Sequence, residues 1–165
     1  MPQLRRAVLF LAIFFCTTGF DQASKQWAES SLTPGQPQAV IHGYWDWELA
    51  TNTGVAFSKF AGIEGGQIIL SILAACALIA IGVVAMRTKP DEYMKLAGLA
   101  LVGGGALGNL VDRVRQGGVT DFVRWKVGEH LWPIFNVADA ALLVGVAVLL
   151  LESALAKRRR AMLKT

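Results

Sequence analysis

Four apolar stretches run through this chain, and three of them carry an aspartate at one end. Asp21 follows residues 7–20, Asp112 follows residues 96–111, and Asp139 precedes residues 140–151. Ionisable groups at bilayer depth are costly and read as functional by default. When topology gathers several of them at one face of the membrane, acid/base chemistry at a lipid boundary is the expectation.

The spans are membrane spans. Of the 165 residues 54% are hydrophobic and only 17% charged, below the roughly one quarter usual in soluble domains. Residues 68–86 are 19 uncharged positions, enough for a hydrocarbon core of ~30 Å at a rise of ~1.5 Å per residue. The 14 residues 7–20 are too short unless the helix takes in Asp21 and Lys25, an i,i+4 pair with the acid first. The stretch 133–151 reaches 19 residues only by including Asn136 and Asp139. A helix starting near Pro133 would hold Asp139 about 9 Å below its end. The expected architecture is an all-α membrane bundle in one domain, with four transmembrane helices near 6–26, 67–87, 95–113 and 133–153. A small β-rich platform near 29–66 lies between helices one and two, and a second outer loop covers 114–132.

Orientation follows from Lys and Arg. With both termini inside, Arg5, Arg6, Arg87, Lys89, Lys95 and the five basic residues of 157–164 are inside, 10 of the 16. Lys25, Lys59, Arg113, Arg115, Arg124 and Lys126 are left outside. The net charge of +4 is thus a positive-inside signature and no sign of nucleic acid binding. Trp27, Trp45, Trp47, Trp125 and Trp132 all fall on the outer side, as an interfacial aromatic belt does. Arg5-Arg6 ahead of an apolar run resembles a signal peptide, but no small-residue cleavage site follows, so a retained helix is expected. Cys16 and Cys76 lie in different spans and are read as packing residues.

In the first outer loop Trp45, Trp47 and Leu49 alternate onto one face, the period of a strand lying on the membrane. Val119 to Val123 is another short strand-like piece. Gly103, Gly104, Gly105 and Gly108 crowd the third span, and such faces let helices approach closely in lipid.

Four polar clusters converge on the outer boundary: Asp21 to Lys25, Asn52 to Phe57, Asn109 to Arg113 with Asp121 beyond, and Asn136 to Asp139. Two carboxylates sharing a site cannot both ionise easily, so one keeps a proton. Such a pair can polarise an amide carbonyl with one acid and activate water with the other. Asp139 ranks first, because no basic residue lies one helical turn away, whereas Asp21 has Lys25 and Asp112 has Arg113. Asp121 ranks as its partner, with the other pairings left open. His42 and His130 lack metal-ligand spacing. Adjacent Ser24 and Lys25 point about 100° apart on a helix, and no nucleophile-elbow motif occurs.

The clusters Asp21-Gln22-x-x-Lys25, Asn52-x-Gly54-x-Ala56-Phe57, Gly108-Asn109-x-x-Asp112-Arg113, Val119-x-Asp121-Phe122 and Phe135-Asn136-Val137-Ala138-Asp139 together resemble the lipoprotein signal peptidases, signal peptidase II. The resemblance implies an aspartyl endopeptidase of the bacterial inner membrane that needs no cofactor or metal. Its termini would be cytoplasmic, its platform and active site periplasmic. It would cut prolipoproteins on the N-terminal side of a diacylglyceryl-modified cysteine and would bind membrane lipid and inhibitors of the globomycin type. Nothing in the sequence requires more than a monomer. By the same resemblance Asp121 and Asp139 are the catalytic dyad, with Asn52, Asn109, Arg113 and Asn136 supporting dyad and substrate. Asp21 and Lys25 would tie helix one to the platform, and Asp112 would orient Arg113. A substrate helix must unwind to be cut, and Asn side chains can replace the lost backbone bonds. The rivals are a small proton-coupled transporter, which would carry its carboxylates near the midplane, and a scaffold whose polar layer only holds helices together.

Overall fold

The computed structural model describes residues 2–54 and 66–162. Val55, Ala56 and Phe57 of the second motif, and Lys59, lie outside the described residues. Four long helices carry membrane-span character: α1 (Pro2–Ser31), α2 (Gly66–Arg87), α3 (Tyr93–Gln116) and α4 (Val137–Met162). Between them lie β1 (Gln38–Ile41), β2 (Trp45–Asn52), β3 (Val119–Val127) and β4 (His130–Leu131).

The bundle is arranged around α3, which packs on α1, α2 and α4. Its glycines make this geometry. A Cβ on Gly104 would sit 2.6 Å from the Phe14 carbonyl oxygen, and one on Gly105 would sit 2.6 Å from that of Ala138. On Gly108 it would collide with the Asp21 carboxylate. Close backbone approach is thus what brings the polar ends of α1 and α4 against α3. At its end, Gly117 adopts φ 70° and returns its N–H to the Arg113 carbonyl, closing the helix with a left-handed cap.

Phe14, Thr18, Asp21, Lys25, Ala28 and Leu32 recur at intervals of four and three residues, one face of a helix. That stripe faces the protein: Thr18 Oγ1 donates to the Gly104 carbonyl at 3.0 Å, and Asp21, Lys25, Ala28 and Leu32 are buried. Leu4, Leu11, Phe15 and Phe20 are exposed. In lipid the polar stripe turns inward. Cys16 and Cys76 are both exposed on the helix surfaces, so they do not pack inside the bundle as expected.

The four strands form one antiparallel sheet in the order β1-β2-β3-β4. The platform therefore belongs to both outer connections, not to the first alone. β2 and β3 pair from Trp45↔Trp125 to Asn52↔Val119, with a register shift between Trp47 and Ala50. β3 runs on to Val127 because β2 and β4 satisfy its backbone on both sides, which a local alternation pattern does not reveal. Trp27 of α1 meets Trp47 at a centroid distance of 5.2 Å and Phe122 at 6.1 Å. Ala28, Leu32 and Phe122 form the small core beneath the sheet.

Candidate active site

Two local structures place the site. First, Phe135 exchanges backbone hydrogen bonds with Val123 at 2.9 and 3.0 Å, pinning the chain ahead of α4 to β3, two residues past Asp121. Second, α4 starts at Val137, so Asp139 is in its first turn and not six residues in. Phe135 spends its N–H and C=O on the sheet, which defers the helix start. Asn136 caps it. Its Oδ1 accepts the Asp139 N–H at 2.9 Å, while Asp139 Oδ2 accepts the Asn136 N–H at 3.3 Å. This reciprocal pair is a capping box with Asn and Asp in place of Ser and Glu.

The Asn136 amide then reaches the other acid. Its Nδ2 donates to Asp121 Oδ1 at 2.6 Å and to Asn109 Oδ1 at 3.2 Å. Asn52 Nδ2 donates to Asp121 Oδ2 at 3.1 Å, and Asn52 Oδ1 accepts the Gly54 N–H at 2.9 Å, which fixes the Asn52 amide. Asn109 Nδ2 donates to Asp139 Oδ1 at 2.9 Å. Asp121, Asp139, Asn52, Asn109 and Asn136 thus form one network drawn from β2, β3, α3 and α4. Asn136 is fully buried, Asp121 is 2% exposed and Asp139 is half-buried. Burial pushes the Asp121 carboxyl up to about 7, and the charge of Asp139 adds to the rise. The amides of Asn52 and Asn136, and the more distant Lys25, oppose it.

A second polar layer adjoins the first. Lys25, 2% exposed, donates to Asp21 at 2.9 Å, Asp112 at 2.8 Å and Asn109 Oδ1 at 2.9 Å, which uses all three ammonium protons. Asp21 Oδ1 accepts the Ala138 N–H at 2.8 Å at the start of α4, where the helix dipole favours an anion. Asp21 and Lys25 therefore tie α1 to α3 and α4, while α1 reaches the sheet through Trp27 and Glu29. Asp112 accepts from Lys25, from Gln22 Nε2 at 2.8 Å and from the Thr120 N–H at 3.2 Å. Arg113 donates to the Asn109 carbonyl at 3.2 Å, so its position comes from its own helix.

Two contributors have no role assigned from the sequence. Gln22 bridges Asp112 and the Gly108 carbonyl, the latter at 3.1 Å. Thr120 Oγ1 donates to Glu29 at 2.6 Å and accepts from Gln116 at 2.7 Å, joining α1, α3 and β3. Gln22 stands in the Asp21-Gln22-x-x-Lys25 cluster, which marks the residue but not its partners on α3.

Arg113 also borders a groove of about 550 Å³ between α2 and α3, lined by Gln67, Ile68, Ser71, Ile72 and Leu110. The buried Nε of Arg113 and both polar atoms of the Gln67 side chain have no hydrogen-bond partner among the described residues. Among those residues no cluster of His, Cys, Asp and Glu is arranged to hold a metal ion.

Four membrane-length helices and a sheet thus bring two carboxyls, Asp121 of β3 and Asp139 of α4, into one amide network, with the groove beside Arg113 between α2 and α3. Residues 13–155 match the family model of signal peptidase (SPase) II. The chain is 42% identical over 142 residues to a lipoprotein signal peptidase of Xanthomonas campestris pv. campestris (strain 8004), covering 84% of each chain. It is 40% identical over 147 residues to that of Xylella fastidiosa (strain 9a5c), covering 87% of each. A solved bacterial membrane enzyme superposes with a TM-score of 0.79 at 27% identity, over 86% of this chain and 90% of that one. The chain belongs to the signal peptidase II family, whose members are aspartic peptidases.

Proposed function

We propose that this protein removes the signal peptide of bacterial prolipoproteins on the N-terminal side of a diacylglyceryl-modified cysteine, with Asp121 and Asp139 as the catalytic pair. The observation that carries the reading is Asn136, whose one side chain hydrogen-bonds Asp121 and caps the turn that holds Asp139. Such a link fixes two carboxyls relative to each other, as water activation by a pair requires.

Asp121, buried among apolar strand neighbours, carries the proton of the pair. Asp139, half-buried at a helix N-terminus where an anion is favoured, is the base. Water attacks the scissile carbonyl carbon, giving one proton to Asp139 while Asp121 gives its proton to the carbonyl oxygen. The resulting gem-diol returns one hydroxyl proton to Asp121 and re-forms C=O as the C–N bond breaks. The proton held by Asp139 passes to the leaving nitrogen, leaving a carboxylic acid and an amine. Protein carboxyls supply every proton transfer, so the scheme contains no metal or cofactor.

Asn52, Asn109 and Asn136 offer amide groups to a substrate backbone that has lost its helical bonds. The groove beside Arg113 and Gln67 suits the diacylglyceryl group: apolar walls for acyl chains, and for ester oxygens donors that have no partner among the described residues. The enzyme acts as a monomer in the bacterial inner membrane, termini cytoplasmic and sheet periplasmic, and globomycin-type inhibitors compete at the same site.

The test uses the full chain in detergent with a lipid-modified proprotein as substrate. Wild type cleaves it, while folded Asp121→Asn and Asp139→Asn variants lose at least about 10³-fold in kcat. Full activity in either variant removes that residue from the mechanism.

A further inference from the structure

We infer that Lys25 is a positioning residue for Asp139: through its contact with Asn109 it dictates which end of that amide faces the catalytic carboxylate. The inference rests on Asp139 acting as the base. The two ends of an Asn side chain are nearly isosteric, so its partners decide its direction. An ammonium group only donates. Lys25 Nζ, 2.9 Å away, therefore selects Asn109 Oδ1, and Nδ2 is left to donate to Asp139 Oδ1 at 2.9 Å. The reversed amide would set N–H₂ against the ammonium and a carbonyl oxygen against a carboxylate, two repulsions in a nearly dry site.

Asn136 repeats the logic. The Asp139 N–H occupies its Oδ1, which sends its Nδ2 toward Asp121 and Asn109 Oδ1. Asn109 Oδ1 thus accepts from Lys25 and Asn136 together. The cation is itself fixed, since Asp21 and Asp112 hold its other two protons and it is 2% exposed. Asp21 also receives the Ala138 N–H, one residue before Asp139. One buried cluster therefore aims both the helix that bears the base and the amide that holds it. Among the described residues, the charged and titratable groups around the pair are Asp21 and Lys25 from α1, Asp112 and Arg113 from α3, and the two aspartates themselves.

Lys25→Met alone strands two buried carboxylates and risks the fold, so the test pairs it with Asp21→Asn. That double change keeps the cluster's charge: two acids and one lysine become one acid. The amide introduced by Asp21→Asn still offers an oxygen to the Ala138 N–H. On the lipid-modified substrate, kcat falls at least about tenfold with KM within about twofold. Adding Asn109→Leu to that background costs nothing further, although Asn109→Leu alone costs about as much. Losses that multiply, or full kcat in the Lys25→Met/Asp21→Asn enzyme, overturn the inference.

Should that enzyme fail to fold, Asn109→Asp decides alone. It keeps the acceptor for Lys25 and deletes the donor to Asp139. Its kcat falls about tenfold near neutral pH and recovers toward acid as the new carboxyl gains a proton, a pH signature that a purely structural residue does not produce. An unchanged pH profile with wild-type kcat overturns the inference. A fully active Asp139→Asn enzyme defeats instead the assignment of the base, so the two failures are distinguishable.

Discussion

Asp121 shows how burial makes an acid useful. Its ordinary value of 3.8 rises to about 7 because the folded chain strips its water and sets Asp139 nearby. Between those values the folded protein holds a proton that the unfolded chain releases. Its contribution to stability is therefore full below about pH 4 and is lost as pH rises through about 7. The thermal midpoint of the wild type should fall between about pH 5 and pH 8, and that of Asp121→Asn should fall distinctly less. Equal slopes would show that Asp121 does not titrate in this window. The pH–rate profile should show two coupled titrations that belong to the pair jointly. Removing the Asn52 amide takes away a donor that stabilises ionised Asp121, so Asn52→Ala should move the Asp121 titration upward and lower kcat about tenfold. A profile identical to wild type would exclude Asn52 from the network.

The helices carry a different lesson. α3 is useful for what it lacks: side chains where α1 and α4 cross it. Gly108→Ala places a methyl on the Asp21 carboxylate, and Gly105→Ala presses on the Ala138 carbonyl and on Leu142 at 3.1 Å. Each should destabilise by about 1–3 kcal/mol and lower activity more than stability, since both shift groups attached to the site. Gly19→Ala, with nothing within 4 Å, is the matched control and should be neutral in a thermal-shift and cleavage comparison. α4 is tuned at its first turn. Asn136 serves as cap and as linker between the acids, so Asn136→Ala should cost about 1–2 kcal/mol for the cap and far more in kcat. If kcat and stability fell in step, the linking role would be unsupported.

Across the molecule, α2 is the least buried of the four spans. That helix has no fully buried residue and packs on α3, leaving the groove beside Arg113 open. The basic residues at 157–160 project from the far end of α4. Engineered cysteines there should be modified by a membrane-impermeant reagent only from the cytoplasmic face, and ones near Val127 only from the periplasmic face. The reverse pattern would refute the proposed orientation.

Much of this was legible before any coordinates. Hydropathy revealed four spans because a bilayer admits few alternatives, and the aspartates stood out because charge within such spans is costly. The alternation at Trp45 and Trp47 announced a strand, as local periodicity does. What stayed hidden was every feature that depends on distant segments. β2 and β3 meet across more than sixty residues of chain, Phe135 is claimed by the sheet so that α4 starts late, and Asp112 is taken by Lys25. The chain by itself determined which residues are too polar to face lipid and how many helices must shelter them. Only the tertiary structure decided which amide faces which carboxyl, because a hydrogen bond is set by the position of its partner, and those partners come from separate helices and strands.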